Sequence, residues 1–245
     1  MHKLVVANYK MNGNIKFFRS LNILNKLKLR DTKIVLCPPF LYLPNVKLKN
    51  KSISLGCQNI SQSINNKSTG EISPLMLKEF NVRYAIIGHS ERRAIGETDD
   101  MVANKVINAL NHDITPIICV GENNKEEGLS LVKTQVKAVL KAIDKSGIEK
   151  TKEVIFAYEP VWSIGTGKLP TVKDIDKAVK LIKTTAKSLV NTKVLYGGSI
   201  NGDNFTDLTN SIADGFLLGG VSQKLEEFKK IVKGVDAWKK VFYWY

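Results

Sequence analysis

Three side chains that can take part in proton transfer each lie close to the end of a short apolar run. These are Lys10, His89 and Glu159. In a closed, dry site a glutamate can remove a proton from carbon, and a neutral histidine can donate a hydrogen bond to a carbonyl oxygen. A lysine can stabilise the negative charge that then develops on an enediolate oxygen. Singly each residue is weak evidence, because a lone histidine is more often a satisfied polar residue and a lone lysine a solvated charge.

Small residues after the run that precedes Glu159, and after the two runs that follow it, are typical of a phosphate site. Gly165, Ser199, Gly219 and Gly220 lack bulk, so that backbone N–H groups can approach and hydrogen-bond a dianionic phosphate. Gly-Gly pairs alone mostly mark turns. Their place in the chain favours phosphate binding, because the loops after strands seven and eight are the usual phosphate site of (β/α)8 barrels.

The elements that must position these residues are eight strand–helix units. Short and nearly continuous apolar runs alternate with amphipathic stretches along the whole chain, as expected of parallel strands that are buried on both faces. We predict strands at Leu4–Asn8, Lys33–Cys37, Ile53–Gln58, Tyr84–Gly88, Thr115–Val120, Val154–Tyr158, Lys193–Tyr196 and Gly215–Leu218.

Helical spacing fills the intervals between these runs. Apolar residues recur at this spacing in 129–143 and again in 172–189, and Ser73-Pro74 reads as an N-cap before a first helical proline. Such units can also build an open doubly wound sheet. Eight of them in 245 residues, without a linker, fit better as a single α/β domain over 1–245, a closed (β/α)8 barrel with its chemistry at the carboxyl ends of the strands.

Composition excludes several other classes of protein. No run of eighteen apolar residues could span a membrane, and no basic-then-apolar secretory signal precedes the first strand, so we expect a cytoplasmic protein. Cys37, Cys57 and Cys119 are expected to be reduced, buried thiols. The three histidines share no ligand spacing and no GxGxxG follows the first strand, so we expect neither a metal nor a cofactor.

The net charge of +14 raises the alternative of a nucleic-acid or membrane-surface binder. The lysines are scattered over helical faces, and no block of five like charges or aromatic-interleaved basic stripe occurs. We therefore interpret them as solvated helix faces and expect neither nucleic acid nor membrane as a partner. A modest positive field would still help to attract a phosphate-bearing substrate.

Several segments, taken together and in order, resemble the triose-phosphate isomerase family over about 4–232, nearly the whole chain. They are Asn8–Gly13 (NYKMNG), Gln58-Asn59, Thr69-Gly70-Glu71, Gly88–Arg93 (GHSERR), Cys119–Glu122 (CVGE), Tyr158–Trp162 with Ile164–Lys168 (YEPVW and IGTGK), Tyr196–Ser199 (YGGS) and Asp214–Gly220 (DGFLLGG). The resemblance implies a TIM barrel that interconverts a triose phosphate aldose and ketose, and a homodimer.

The resemblance also implies roles for the matched positions. Glu159 would be the base, His89 the electrophile and Lys10 a catalytic cation, with Glu91 as a supporting carboxylate. The substrate-binding residues would be Asn8, Lys10, Gly165, Ser199, Gly219 and Gly220, and 160–168 would be a mobile lid.

The chain departs from the family pattern at a few positions. Tyr9 replaces the usual tryptophan, and Pro170 replaces the common alanine. Asn66-Lys67-Ser68 replaces a Gly-Ala-aromatic segment in the loop that docks into the neighbouring subunit in this family. An aromatic-rich extension occupies about 234–245, in which Val235, Trp238, Val241 and Phe242 continue a helical spacing. We expect it to pack on the barrel flank rather than to bind a partner.

Two rival functions remain open from the sequence. Another phosphosugar-binding barrel enzyme would share the phosphate loops, but it has no need of Lys10, His89 and Glu159 together. A basic, non-catalytic binding barrel would be free to lose those three residues.

Overall fold

A computed structural model describes residues 2–63, 67–163 and 169–238 of the chain. Eight parallel strands close into one barrel in sequential order, with β1 paired to β2 on one side and to β8 on the other. The strands are β1 (Lys3–Asn8), β2 (Thr32–Cys37), β3 (Ile53–Cys57), β4 (Val82–Ile87), β5 (Thr115–Val120), β6 (Val154–Tyr158), β7 (Thr192–Gly197) and β8 (Gly215–Leu218). The predicted (β/α)8 barrel is confirmed.

Helices cover the outside of this barrel. The α-helices are α1 (Ile15–Ser20), α2 (Pro74–Glu79), α3 (Ser90–Ala94), α4 (Asp99–Asn111), α5 (Gly128–Ser146), α6 (Val172–Thr185), α7 (Phe205–Leu208) and α8 (Leu225–Ala237). Short 3-10 helices occupy Leu21–Lys26, Phe40–Asn45, Val161–Ser163 and Gly220–Gln223. None of the helices in the described part of the chain is long and apolar enough to cross a membrane.

The predicted element bounds need small corrections. The third strand ends at Cys57, the fourth runs from Val82 to Ile87, and the seventh extends from Thr192 to Gly197. The helix predicted to reach Leu189 ends at Thr185, although Leu189 is still buried. Ser73 does cap α2, because its side chain accepts a hydrogen bond from the N–H of Met76.

Two apolar layers hold the barrel together. The smaller lies inside it, where alternate residues of the strands meet, among them Leu4, Val6, Ile117, Ile155 and Leu195. The larger lies between the strands and the helices. The three cysteines are free and buried, as predicted. This double burial explains why the strands read as continuous apolar runs.

The first part of the C-terminal extension packs on the barrel flank. Val235 is fully buried in α8, which ends at Ala237. Trp238 follows in an extended conformation and stacks on Phe216, with ring centroids 5.8 Å apart. The Lys3 ammonium lies 5.1 Å from the centroid of the Trp238 ring. Val241 and Phe242 lie outside the described residues.

The barrel closes between β8 and β1 at a glycine that tolerates no side chain. Gly215 pairs with Leu4 and has a φ of +150°, in a region that L side chains rarely adopt. A Cβ built on Gly215 would lie 1.8 Å from the carbonyl oxygen of Leu4. The first and last strands can therefore approach each other only because position 215 is a glycine.

We expect Gly215→Ala to lower the free energy of unfolding by about 3 kcal/mol or more, because both the backbone and the strand contact must distort. Urea unfolding followed by circular dichroism measures this value. Gly147→Ala is the matched control, since Gly147 also has a positive φ, of +71°, but faces open space, and it should cost only about 1 kcal/mol. Equal losses in the two variants would contradict the close contact at the seam.

Candidate active site

The chemically reactive side chains follow different strands but lie at one end of the barrel. Asn8 and Lys10 come at the end of β1, His89 after β4 and Glu159 after β6. All eight strands are parallel, so that their carboxyl ends share one rim. Residues separated by 150 positions in the chain thereby become neighbours.

Glu159 and His89 are in direct contact. The carboxylate Oε1 of Glu159 lies 3.2 Å from Nε2 of His89, and its Oε2 accepts a hydrogen bond of 3.2 Å from the backbone N–H of Ser90. Only 4% of Glu159 and 6% of His89 are exposed. The buried carboxylate is held by the Ser90 N–H and lies against the His89 ring, and its remaining lone pairs can act as a base.

Backbone geometry fixes the position of Glu159. Its N–H donates to the carbonyl of Val120, at 2.8 Å. A Cβ at Gly121 would lie 1.8 Å from the carbonyl oxygen of Glu159. A Cβ at Gly197 would lie 3.1 Å from the side-chain Cγ of Glu159. Neighbouring strands therefore close around this residue where they carry glycine.

The ring nitrogens of His89 have separate roles. His89 caps α3, and its Nδ1 accepts a hydrogen bond of 3.2 Å from the backbone N–H of Glu91. Because Nδ1 acts as acceptor there, the single proton of the neutral ring lies on Nε2, which faces Glu159. The histidine is thus set up to donate a hydrogen bond into the barrel mouth.

Lys10 has an unusual backbone that its neighbours hold in place. Its φ is +50°, a conformation that costs a lysine about 1 kcal/mol or more. The side-chain oxygen of buried Asn8 accepts from the Lys10 N–H at 3.0 Å, and Gln58 donates to the Lys10 carbonyl at 2.9 Å and to that of Cys37 at 2.9 Å. The strained turn brings the Lys10 ammonium to Glu91.

A continuous chain of contacts joins the four charged or polar groups. The Lys10 ammonium lies 2.6 Å from Oε1 of Glu91, whose Oε2 lies 3.6 Å from Nδ1 of His89. His89 in turn contacts Glu159. The structure thus brings together four of the residues singled out in the sequence.

The glycine loop after β8 adjoins this chain. A Cβ built on Gly219 would lie 3.5 Å from Cε of Lys10, whereas one on Gly220 would meet nothing within 4 Å. After β7, Asn204 donates to the carbonyl of Ser199, at 2.8 Å. Open space beside these backbones is what an anion held by N–H groups requires. Gly165, predicted as a fourth phosphate contact, lies outside the described residues, as do 164–168 of the expected lid.

Glu122 is a buried carboxylate for which the sequence predicted no role. It fixes the segment after Glu159. Glu122 accepts hydrogen bonds from the hydroxyl of Tyr158 and from the indole N–H of Trp162, both at 2.8 Å. The Lys125 ammonium lies 4.3 Å from the centroid of the Trp162 ring. Burial and the nearby Glu122 carboxylate raise the pKa of Tyr158, so that its hydroxyl remains a donor. Glu159 is therefore flanked on both sides by residues tied to Glu122.

A second buried network supports the segment after His89. The carboxylate of Glu97 lies 2.7 Å from Nε of Arg92 and 2.5 Å from the ammonium of Lys105, which also donates to Asn59 at 2.8 Å. Burial acts to raise the pKa of Glu97, but the hydrogen bonds from Lys105 and Arg92 outweigh it and hold the pKa below its usual value. The carboxylate therefore stays charged and links α3, through Arg92, to α4, through Lys105.

The structure shows two further residues beside the Glu159 carboxylate whose contacts the sequence did not predict. Ser90 supplies its N–H to Glu159, and Cys119 lies beside the same carboxylate. Burial and the Glu159 charge raise the pKa of the Cys119 thiol well above its usual range, so that it remains protonated. Across 2–63, 67–163 and 169–238, no group of three or more His, Cys, Asp and Glu side chains could hold a metal ion.

Tyr9, where the sequence departs from the resemblance, fits its place. It is fully buried, and its ring meets those of Phe17 and Phe18 edge-on, with centroids 5.7 and 5.2 Å apart. An aromatic side chain beside Lys10 is thus retained.

Comparisons with known proteins agree with this arrangement. A family model described as triosephosphate isomerase matches residues 3–235. Proteins named triosephosphate isomerase from Thermoanaerobacter sp. (strain X514) and Caldanaerobacter subterraneus subsp. tengcongensis are 40% and 41% identical over 247 residues, which cover 94% of this chain and 98% of each relative. One from Colwellia psychrerythraea is 40% identical over 244 residues, covering 93% of this chain and 95% of its own.

We expect Glu122→Leu to destabilise the protein by about 1–3 kcal/mol, because it leaves the Tyr158 hydroxyl and the Trp162 indole without their buried acceptor. Trp162 emission, isolated by subtraction of the Trp162→Phe spectrum, should shift to the red as the indole gains water. Glu122→Gln keeps an acceptor oxygen and should recover most of both effects. An unshifted emission in Glu122→Leu would show that the carboxylate does not hold Trp162.

Proposed function

The chain belongs to the triosephosphate isomerase family, and on that premise we propose how its own side chains carry out the reaction. It is an isomerase that reversibly interconverts D-glyceraldehyde 3-phosphate and dihydroxyacetone phosphate, an aldose–ketose conversion that belongs to glycolysis and also serves gluconeogenesis. The observation that carries the assignment of residues is the chain of contacts from Lys10 through Glu91 and His89 to Glu159.

Glu159 is the base that moves the proton between the two carbons. Its carboxylate takes the proton from the carbon next to the carbonyl, and the electrons of that C–H bond form the carbon–carbon double bond of an enediolate. His89 passes the hydroxyl proton from one enediolate oxygen to the other, and return of the carbon-bound proton to the neighbouring carbon then completes the isomerisation. The burial of Glu159 supports this role, because it keeps bulk water away from the carboxylate and from the enediolate.

His89 is the electrophile at the carbonyl oxygen. Its Nε2 lies 3.2 Å from Oε1 of Glu159 and faces the barrel mouth. When a substrate carbonyl enters, the Nε2–H donates to its oxygen, and the adjacent Glu159 carboxylate accepts the carbon-bound proton. Binding and polarisation of the carbonyl thus depend on one proton of the imidazole.

Lys10 stabilises the charge that develops on the enediolate, and Asn8 and Glu91 support it. Asn8 holds the strained backbone of Lys10, and Glu91 keeps the ammonium at the mouth of the barrel. The backbone N–H groups at Ser199, Gly219 and Gly220 bind the substrate phosphate, with Gly165 as a fourth contact. No metal or organic cofactor takes part.

Around this site we also infer a single domain over 1–245, a cytoplasmic location and a homodimer. Large apolar side chains are exposed on the segments that follow β1, β2, β3 and β4, which are neighbours in the barrel. Met11, Leu41, Met76 and Ile95 are exposed by 96%, 83%, 53% and 72%. Exposed apolar side chains on neighbouring segments are typical of a subunit interface. Lys67 and Ser68, in the loop after β3, would lie at its edge.

We expect the purified protein to convert glyceraldehyde 3-phosphate to dihydroxyacetone phosphate with no metal or nucleotide added. Proton NMR measures the conversion. In deuterated water the product should gain deuterium at carbon. Glu159→Gln should reduce both conversion and deuterium incorporation by on the order of 10²–10⁴, because an amide cannot accept the carbon-bound proton. His89→Ala should lower kcat on a similar scale while phosphate still binds. A near-normal rate in Glu159→Gln would overturn the assignment of the base.

For the homodimer, we expect sedimentation to give about twice the chain mass of 27.3 kDa. Leu41→Lys combined with Ile95→Lys should shift the molecule toward monomer, because charges would be buried in the interface. Val190→Lys is the control, since Val190 is 70% exposed but lies between α6 and β7, near the opposite end of the barrel. A wild-type monomer, or equal effects of the two changes, would contradict this interface.

A further inference from the structure

The amino-terminal end of the barrel, opposite the active site, carries a polar layer that faces inward. Side chains alternate along a strand, so residues two positions before an interior side chain share its direction. Leu4, Val35, Ile155 and Leu195 belong to the interior cluster, and Tyr84 packs against it. The same face at the base of the barrel therefore holds a group that we call the basal cup: His2, Lys33, Tyr84, Glu153 and Lys193.

The basal cup encloses a cavity of about 210 Å³, which Lys3 and Leu4 also line. The Lys3 ammonium turns away from it, because it donates to the carbonyl of Val235, at 3.0 Å, on the outer side of the barrel. Leu4 closes the inner side with apolar surface. The cavity is thus a small space, bordered by charged side chains and by apolar surface, above a dry barrel interior.

Positive charge exceeds negative charge in the basal cup. The ammonium of Lys193 forms an ion pair with the carboxylate of Glu153. No carboxylate lies within ion-pair distance of Lys33 among the described residues. One cation is therefore in excess even before the imidazole of His2 is counted.

Hydrogen-bond donors also exceed acceptors there. Burial and the Glu153 carboxylate raise the pKa of Tyr84, so that its phenol remains protonated and can donate. Lys33 and His2 supply further N–H groups, whereas Lys193 already engages the one carboxylate. A ligand that offers several acceptors and negative charge would satisfy all of these donors.

We propose that the basal cup binds a small oxyanion of the phosphate or sulfate class, at a site separate from the substrate phosphate. Phosphate offers four oxygens to the ammonium, phenol and imidazole donors, and the small cavity favours a free ion over the phosphate of a large molecule. A strand of six residues separates the two ends of the barrel by roughly 17 Å. The ion therefore cannot also contact Lys10 or Gly219.

Histidine NMR tests this site directly, because the chain has only three histidines. The ring-proton resonance of His2 is assigned by its loss in His2→Gln. Inorganic phosphate is then titrated at constant ionic strength, with sodium chloride as the balancing salt. We expect a saturable shift of the His2 resonance, and an affinity at least about tenfold weaker in Lys33→Gln, the loss that removal of one charge-assisted hydrogen bond produces.

Lys133→Gln is the matched control, since Lys133 is exposed on α5, away from the basal cup. It should leave the titration unchanged, and normal isomerase turnover in both lysine variants shows that they are folded. A linear drift that is equal in wild type and Lys33→Gln would overturn the proposal. Repetition with ATP identifies the source of the oxyanion: binding as tight as that of phosphate would overturn the free ion as ligand, and weaker binding would support it.

Discussion

One backbone hydrogen bond decides what the active site can do: the N–H of Glu91 donates to Nδ1 of His89. It places the imidazole proton on Nε2 and so turns the ring into a donor toward the barrel mouth. If Nδ1 carried the proton instead, Nε2 would present a lone pair to Glu159, and two acceptors would face each other at 3.2 Å. In the proposed mechanism, the short helix α3 matters mainly because its first turn supplies this N–H.

Backbone groups also hold the side chains of Lys10 and Glu159 in place. Lys10 reaches Glu91 only because its own backbone adopts a left-handed conformation, which Asn8 and Gln58 stabilise from two sides. Glu159 receives an N–H from Ser90 and gives its own N–H to Val120. Each reactive side chain is thus fixed by main-chain contacts to residues at another strand end. The geometry of the active site therefore depends on how the strands close into the barrel.

The sequence predicted the strands well, because burial on both faces leaves a continuous apolar run whose ends can be read. It also indicated Lys10, His89 and Glu159, since each follows such a run. It could not assign roles to Gln58, Ser90 or Glu122, because their partners lie 21 to 69 positions away. Helix ends were less accurate, since apolar spacing continues to Leu189 after the backbone has left the helix at Thr185. Side chains that work through a distant backbone group leave no local pattern.

Exposure separates the ion pairs that can rearrange during turnover from those that cannot. The Lys10 and Glu91 side chains are 28% and 59% exposed, so breaking their contact costs about 1 kcal/mol or less. In the proposed mechanism a dianionic substrate draws the ammonium away. Lys105 and Glu97, at 3% and 2%, lie in a dry interior, where removing one partner would leave an uncompensated charge. The protein therefore places its permanent ion pair behind α3, where it holds the histidine segment, and its exchangeable pair at the mouth, where charge must move.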